Sequence, residues 1–219
     1  MQRVGGSKPS GCTKTNKMEW FYNENFVSMV KNSLPKLFKT AEIETTRGGK
    51  IGMEVGVLRE RILVSMLIKS FGFENVDTDS SSNENSKDTK VFEDNLSIKT
   101  FTNSGYGGLK VFWASDNQSV SRALESYRPQ HHLMISQICW GTNNGGLFLV
   151  PLSVQNEYFD KVSVNGYLKV NSGNNRGISI QTEVLKSMLS HKDTKKIKVQ
   201  WTTPEIKLNI YERWIKMID

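Results

Sequence analysis

The sequence predicts an α/β fold in which helices flank a central sheet. Three stretches support this prediction. Apolar residues recur at helical spacing over about residues 53–70, two short strands flank a polar turn over about 88–101, and two apolar runs flank a glycine-containing turn between 132 and 150. A chain of 219 residues is long enough to form one such domain around its own core.

Composition narrows the class of partner. The formal net charge of +7 and the sequence pI of about 9.3 favour a polyanionic partner. Cys12 and Cys139 lack CxxC spacing, and the three histidines form no zinc-ligand pattern with them. No apolar run approaches the about 18 residues of a membrane helix. The polar N-terminus lacks the apolar stretch of a signal peptide, so we expect a cytoplasmic protein.

The first elements are predicted in chain order. Residues 1–17 are expected to form a flexible basic arm, and a single domain is expected over 18–219. Residues 19–39 predict one or two helices interrupted by Pro35. A glycine-rich basic loop at 45–52 precedes the helix at about 53–70, and a polar linker follows at 75–87.

A predicted hairpin at about 88–101 contains the residue types of a catalytic site. Its first strand begins at Asp88, residues 93–95 form the turn, and the second strand includes Ser97 and Lys99. Alternation places Ser97 and Lys99 on one face of the sheet. The hairpin would bring the Asp88 carboxylate beside Lys99. A carboxylate and an ammonium at one sheet edge can bind a divalent metal and activate water for attack on a phosphodiester.

The preceding helix supplies a further carboxylate. Glu60 lies on the apolar stripe of this helix, where an unpaired charge is costly. It pairs either with a cation such as Arg61 or Lys99, or with a metal. Glu54 lies six residues earlier, on a different part of the helix surface, and is the weaker candidate.

The later elements complete the predicted fold. Residues 109–113 are a strand or lead into a helix, and 119–127 are predicted to be a helix with Ser119 as its N-cap. The runs at 132–140 and 147–150 predict a buried hairpin around a turn at 143–146. The C-terminal third predicts strands at 166–170, 177–181 and 196–201, and helices at 182–190 and 208–217.

These residues resemble a known family. Asp88, followed by Ser97-x-Lys99 on the next strand, resembles the PD-(D/E)xK motif of most type II restriction endonucleases, with a serine at the usual acidic position. Gly56-Val-Leu-Arg-Glu60 resembles the G-x-x-x-E helix that precedes the hairpin there. The resemblance spans roughly residues 52–151 and implies a mixed central sheet flanked by helices, a restriction-endonuclease-like core. It is greatest to the small ThaI-type endonucleases, which cut CGCG sequences to blunt ends.

The resemblance also implies a reaction and roles. The expected activity is Mg²⁺-dependent hydrolysis of double-stranded DNA at a short palindrome. Asp88 and Glu60 would bind the metal, with Glu54 in reserve for the carboxylate missing at Ser97, and Lys99 would orient or deprotonate water. Cutting both antiparallel strands requires a homodimer. The aromatic segment around Trp20, Phe21 and Phe26 and the C-terminal segment around Trp214 are equal candidates for the dimer surface.

Polar loops and one methionine are candidates for DNA contacts. Glycines allow close backbone approach to phosphates, Asn, Gln and Arg can read base edges, and an unbranched apolar side chain can wedge between base pairs. A solvated surface is the simpler interpretation for most of them. The candidates are Arg47, Lys50, Met53, Asn103, Ser104, Lys110, Asn117, Gln118, Arg122, Asn175 and Arg176.

Other functions remain open at this point. One is a non-catalytic, sequence-specific DNA-binding protein, since Ser97 weakens the metal site. A second is a nicking or repair nuclease. A third is a nucleic-acid-modifying transferase, but the chain lacks a G-x-G-x-x-G loop after a strand and a Walker A pattern, which argues against a nucleotide-cofactor fold.

Overall fold

The structure, a computed structural model, describes residues 18–78, 88–106, 109–113, 117–170 and 177–218. The predicted arm at 1–17 lies outside this part of the chain. A 3-10 helix at Glu19–Tyr22 precedes six α-helices in the described residues: α1 Glu24–Thr45, α2 Val55–Phe71, α3 Asn117–Ser126, α4 Leu152–Tyr167, α5 Thr182–Leu189 and α6 Glu212–Ile218. The described strands are β1 Thr46–Arg47, β2 Lys50–Ile51, β3 Val76–Asp77, β4 Thr89–Val91, β5 Asp94–Thr102, β6 Lys110–Trp113, β7 His132–Ile138, β8 Gly146–Val150, β9 Leu168–Val170, β10 Gly177–Ile180 and β11 Lys195–Ile197.

A mixed six-stranded sheet forms the centre of the fold. Its strand order is β11-β8-β7-β5-β4-β3. Strands β5 and β7 are parallel, from Leu96 opposite His132 to Thr102 opposite Ile138, and the other neighbours are antiparallel. A parallel pair needs a long crossover, and α3 lies within the one between β5 and β7. The predicted mixed sheet flanked by helices and the predicted β7–β8 hairpin are confirmed.

Alternation along the strands divides the core into two clusters. Leu96 and Ile98 of β5 pack in a cluster with side chains of α1 and α2. Phe101 of the same strand belongs to a second cluster, with side chains of α4, α5 and the small sheet β6-β10-β9. Ser97 and Lys99 alternate with Leu96 and Ile98, as predicted, and are only partly buried.

The N-terminal half differs from the prediction at three places. Pro35 does not interrupt α1, which continues from Glu24 to Thr45 with Pro35 buried inside it. Packing of the helix's buried apolar face offsets the about 3 kcal/mol that an interior proline costs. The expected loop at 45–52 contains the β1–β2 hairpin. The turn of the central hairpin lies at residues 92–93, because Asp94 already pairs with Val91.

The later part of the chain differs as well. Helix α3 begins at Asn117, so Ser119 lies inside it and is not the N-cap. Helix α4 was not predicted, and it includes the first two residues of the strand expected at 166–170. Strand β11 ends at Ile197, which leaves 198–209 without regular structure, and α6 begins at Glu212. Among the described residues, no helix is both long and apolar enough to cross a membrane.

Candidate active site

The carboxylate of Asp88 is fixed by the start of the central hairpin. The backbone N–H of Asp88 donates to the Leu96 carbonyl at 2.9 Å, which extends the β4–β5 ladder and places Asp88 opposite Ser97. Its Oδ2 accepts hydrogen bonds from the Ile98 backbone N–H at 2.6 Å, Lys99 Nζ at 3.0 Å and Ser97 Oγ at 3.3 Å. The structure thus brings together the three residues of the predicted hairpin motif.

Lys99 connects this carboxylate with the preceding helix. Its Nζ lies 3.9 Å from Glu60 Oε1 on α2 and donates to the Ile98 carbonyl at 2.8 Å. The side chains of Lys99, Asp88 and Glu60 are 22%, 30% and 29% exposed, so the cluster is partly desolvated yet open to solvent. One ammonium therefore contacts two carboxylates at a site that a substrate can reach.

Glu60 is electrostatically perturbed. Burial raises its pKa above the usual range for glutamate, the Lys99 ammonium counteracts this, and the Asp88 carboxylate raises the pKa further. The ion pair with Lys99 is one of the pairings that the sequence left open for Glu60. A second cation at this site would stabilise the ionised form of Glu60 in the same way as Lys99 does.

A buried ion pair that the sequence did not reveal fixes the residue next to Glu60. Arg59 of α2 donates to Glu42 Oε1 of α1 at 2.5 Å, and Trp140 Nε1 donates to the same oxygen at 2.8 Å. The Arg59 and Glu42 side chains are 5% and 3% exposed. Burial lowers the pKa of Arg59, and Glu42 opposes that shift. The pair ties α2 to α1 directly beside the candidate site.

The available donors suit a small, hard cation. Asp88 and Glu60 supply carboxylate oxygens, and Ser97 and the Ile98 carbonyl add neutral oxygens nearby. Within the described residues, no group of three or more His, Cys, Asp or Glu side chains is arranged to hold a metal. Mg²⁺ usually binds through one or two carboxylates together with waters and substrate phosphates, so a two-carboxylate site fits it.

The β1–β2 hairpin projects basic residues just before α2. Gly48 and Gly49 have positive φ angles of 56° and 77°, as a tight type I′ turn requires. Arg47 pairs with Glu54 at 3.6 Å, and the Arg47 side chain is 86% exposed. Glu54 thus contacts this hairpin, whereas Glu60 contacts Lys99. Lys50 is exposed on the hairpin, and Met53, between the hairpin and α2, is 86% exposed.

The remaining candidates for DNA contact lie on three further segments. The backbone of Asn103 is tied to β7: its N–H donates to the Ile138 carbonyl, and its own carbonyl accepts from Gln137. This fixes the start of the loop after β5. The exposed candidates in this part of the chain are Asn103, Ser104, Lys110, Gln118 and Arg122. The side chain of Asn117, together with Asn175 and Arg176, lies outside the described part of the structure.

Comparison with solved structures defines the class of protein. A structure described as a restriction endonuclease in complex with substrate DNA matches with a TM-score of 0.82 and 36% sequence identity. The match covers 90% of this chain and 96% of that one. Together with the mixed sheet and the carboxylate–lysine cluster, it defines the chain as a type II restriction endonuclease, an enzyme that acts on DNA.

A family model identifies the chain more closely. The model for restriction endonuclease ThaI matches residues 20–219, almost the whole chain. The chain belongs to the ThaI restriction endonuclease family. Comparison with curated protein sequences gives no significant match.

Proposed function

We propose that the chain hydrolyses phosphodiester bonds of double-stranded DNA in a Mg²⁺-dependent reaction of the PD-(D/E)xK type, at the palindrome CGCG that the ThaI-type resemblance implies. The observation that carries the proposal is the position of Lys99, 3.0 Å from Asp88 and 3.9 Å from Glu60. Two carboxylates and one ammonium form a partly exposed cluster between the inner strand β5, the start of β4 and helix α2. Such a cluster supplies the groups for metal-assisted hydrolysis.

Asp88 and Glu60 would hold the metal. Bound Mg²⁺ lowers the pKa of a coordinated water and offsets the charge that develops on phosphate and leaving-group oxygens. Asp88 is held in place by the Ile98 N–H and Ser97 Oγ, which restrict its rotation. The Lys99 ammonium would orient the attacking water and stabilise the negative charge on the phosphorus-bound oxygens.

Ser97 has a different role from the acidic residue usual at its position. Its hydroxyl donates to Asp88 Oδ2 at 3.3 Å, so it supports the one carboxylate of the hairpin. Glu60, on α2, would supply the second carboxylate. The site would then hold two carboxylates, one from the hairpin and one from α2, although a serine occupies the usual acidic position of the hairpin.

DNA binding would use the surface beside this site. Arg47 and Lys50 on the β1–β2 hairpin would contact phosphates, and the exposed side chain of Met53 is suited to wedge between base pairs. A homodimer with two-fold symmetry would present one site to each strand of the palindrome. Each phosphate contact would contribute about −0.9 to the slope of log K against log salt concentration.

Plasmid cleavage tests the proposal. The chain is incubated with CGCG-containing plasmid in Mg²⁺, and the control reactions contain EDTA or a plasmid without CGCG. We expect discrete blunt-ended fragments only with Mg²⁺ and CGCG. Asp88→Ala and Lys99→Ala should lose cleavage while still binding the duplex in Ca²⁺.

Three outcomes would contradict parts of this proposal. Near-parental cleavage by either variant would show that the hairpin is not the catalytic site. Binding of DNA without cleavage by the parental chain would indicate a non-catalytic DNA-binding protein. Nicked plasmid as the final product would indicate a nicking or repair nuclease.

A further inference from the structure

After Trp201 the chain continues as a C-terminal arm, defined here as residues 202–218. Trp201 is fully buried, and residues 202–209 after it have no regular secondary structure and belong to none of the three sheets in the described residues. Side chains alternate along the first half of the arm. Partly buried Pro204, Ile206, Leu208 and Ile210 alternate with exposed Glu205, Lys207, Asn209 and Tyr211.

The second half of the arm exposes a dense group of large apolar side chains. Tyr211, Ile215, Met217 and Ile218 are 65%, 55%, 76% and 83% exposed, all within eight residues. Single exposed apolar residues are normal on a protein surface. Tyr211, Ile215 and Ile218 are instead spaced i, i+4 and i+7, and the Ile215 N–H donates to the Tyr211 carbonyl, so these three side chains share one face of the α6 turns. An apolar group on one face of a short helix marks an interaction surface. Helix α6 therefore presents apolar area that water disfavours.

The charge of the arm argues for a protein partner. In residues 202–219, Glu205, Glu212 and Asp219 balance Lys207, Arg213 and Lys216, so the segment is neutral within a chain of net charge +7. Surfaces that bind DNA or anionic lipid are enriched in cations. A neutral apolar segment with both charge signs is instead suited to pack against an identical segment, because each acidic residue can face a basic one.

The other dimer surface that the sequence suggested, the aromatic segment around Trp20, is largely buried in the core. The side chains of Phe21 and Phe26 are fully buried in the core with α1 and α2. Trp20 packs against that core, and its Nε1 donates to Asp94 at 2.8 Å. The aromatic segment around Trp20 is therefore part of the hydrophobic core. Of the two surfaces that the sequence offered, the C-terminal arm is the one with apolar side chains free for a second chain.

We propose that the C-terminal arm is the dimerisation element, and that α6 packs against a second copy of this chain across a two-fold axis. The inference rests on the proposed function, which requires two active sites on one palindrome. In a two-fold interface the same surface serves both copies. An arm of this length from each copy approaches the about 20–30 residues per side of a standard interface.

Substitution of exposed residues tests the arm without disturbing the core. In the double variant Ile215→Glu/Ile218→Glu and in Tyr211→Glu, which lies on the same face of α6, charges would face each other across the two-fold axis. Phe73→Glu is the matched control, since Phe73 is 78% exposed and lies outside the arm. All variants should melt at the parental temperature, because the substituted side chains are exposed.

The readout is sedimentation on a short CGCG duplex with Ca²⁺ in place of Mg²⁺. We expect two protomers per duplex for the parental chain and the Phe73→Glu control, and one for both arm variants. Two protomers per duplex in the arm variants, or one in the parental chain, would overturn the proposal. Plasmid cleavage in Mg²⁺ is scored separately. A parental dimer that cuts nothing would refute the function and leave the arm assignment intact, and a cutting enzyme whose arm variants stay dimeric would refute only the arm.

Discussion

Substitutions of Asp88 separate its structural role from its catalytic role. Asp88→Asn retains an oxygen that can accept the hydrogen bond from the Ile98 N–H, now 2.6 Å from the carboxylate, but removes the charge. Asp88→Ala removes both. Because Ile98 is fully buried, an N–H left without its acceptor costs about 1–3 kcal/mol. At about 2–4 °C per kcal/mol for a domain of this size, Asp88→Ala should melt ~2–12 °C below Asp88→Asn.

The cleavage activities of Asp88→Asn and Asp88→Ala should not differ in the way that their melting temperatures do. Both variants lose the anionic oxygen that would bind the metal, so we expect single-turnover cleavage to fall at least about 10²-fold in each. Calorimetric melting and single-turnover cleavage of a CGCG duplex, measured at a temperature where both variants are folded, give the two quantities. Near-parental cleavage by Asp88→Asn would refute the metal-binding role. Equal melting temperatures for the two variants would refute the structural role of the Ile98 hydrogen bond.

Three further predictions follow from the neighbouring contacts. Glu42→Gln leaves Arg59 buried without its ionic partner and should lower the free energy of unfolding by about 3–5 kcal/mol in urea. The double variant Glu42→Gln/Arg59→Met should recover much of that loss. A double variant no more stable than Glu42→Gln would contradict the prediction. The pKa of Glu60 is raised by folding, so its ionisation opposes folding. Glu60→Gln should therefore melt at a higher temperature than the parental chain in metal-free neutral buffer. This difference in melting temperature should disappear below about pH 4, where the glutamate is protonated in both the folded and the unfolded chain. A lower melting temperature of Glu60→Gln at neutral pH would contradict the raised pKa of Glu60. Met53→Ala should leave the melting temperature unchanged, because the side chain is 86% exposed, and should weaken duplex binding by fluorescence anisotropy; unchanged affinity would exclude a wedge.

Local patterns in the sequence were sufficient to predict the hairpin of the candidate site. Strict alternation over residues 96–99 indicated which side chains share a face, and the hairpin does bring Asp88 beside Lys99. The turn itself lies at residues 92–93 and not at 93–95 as predicted. The family resemblance implied a mixed sheet, but the parallel pairing of β5 with β7 was not predicted. A parallel pair joins residues far apart in sequence, and no local pattern specifies its register.

Features that depend on tertiary contacts were not predictable. The Glu42–Arg59 pair joins two helices, and nothing in either helix sequence identifies the partner. Pro35 is tolerated in α1 because tertiary packing of the helix outweighs its local cost. Helix α4 has weak helical periodicity and contains Ser163 with a non-helical φ of 57°, which explains why residues 152–167 gave no clear signal.

One comparison of variants tests most directly whether Glu60 is the second carboxylate of the site. Single-turnover cleavage of a CGCG duplex in Mg²⁺ is measured for Glu60→Gln and for Glu54→Gln, its matched control on the same helix end. Glu60 lies 3.9 Å from Lys99, whereas Glu54 pairs with Arg47. We expect Glu60→Gln to be about as inactive as Asp88→Ala and Glu54→Gln to retain near-parental chemistry. An active Glu60→Gln beside an inactive Glu54→Gln would contradict the assignment and move the second carboxylate to Glu54.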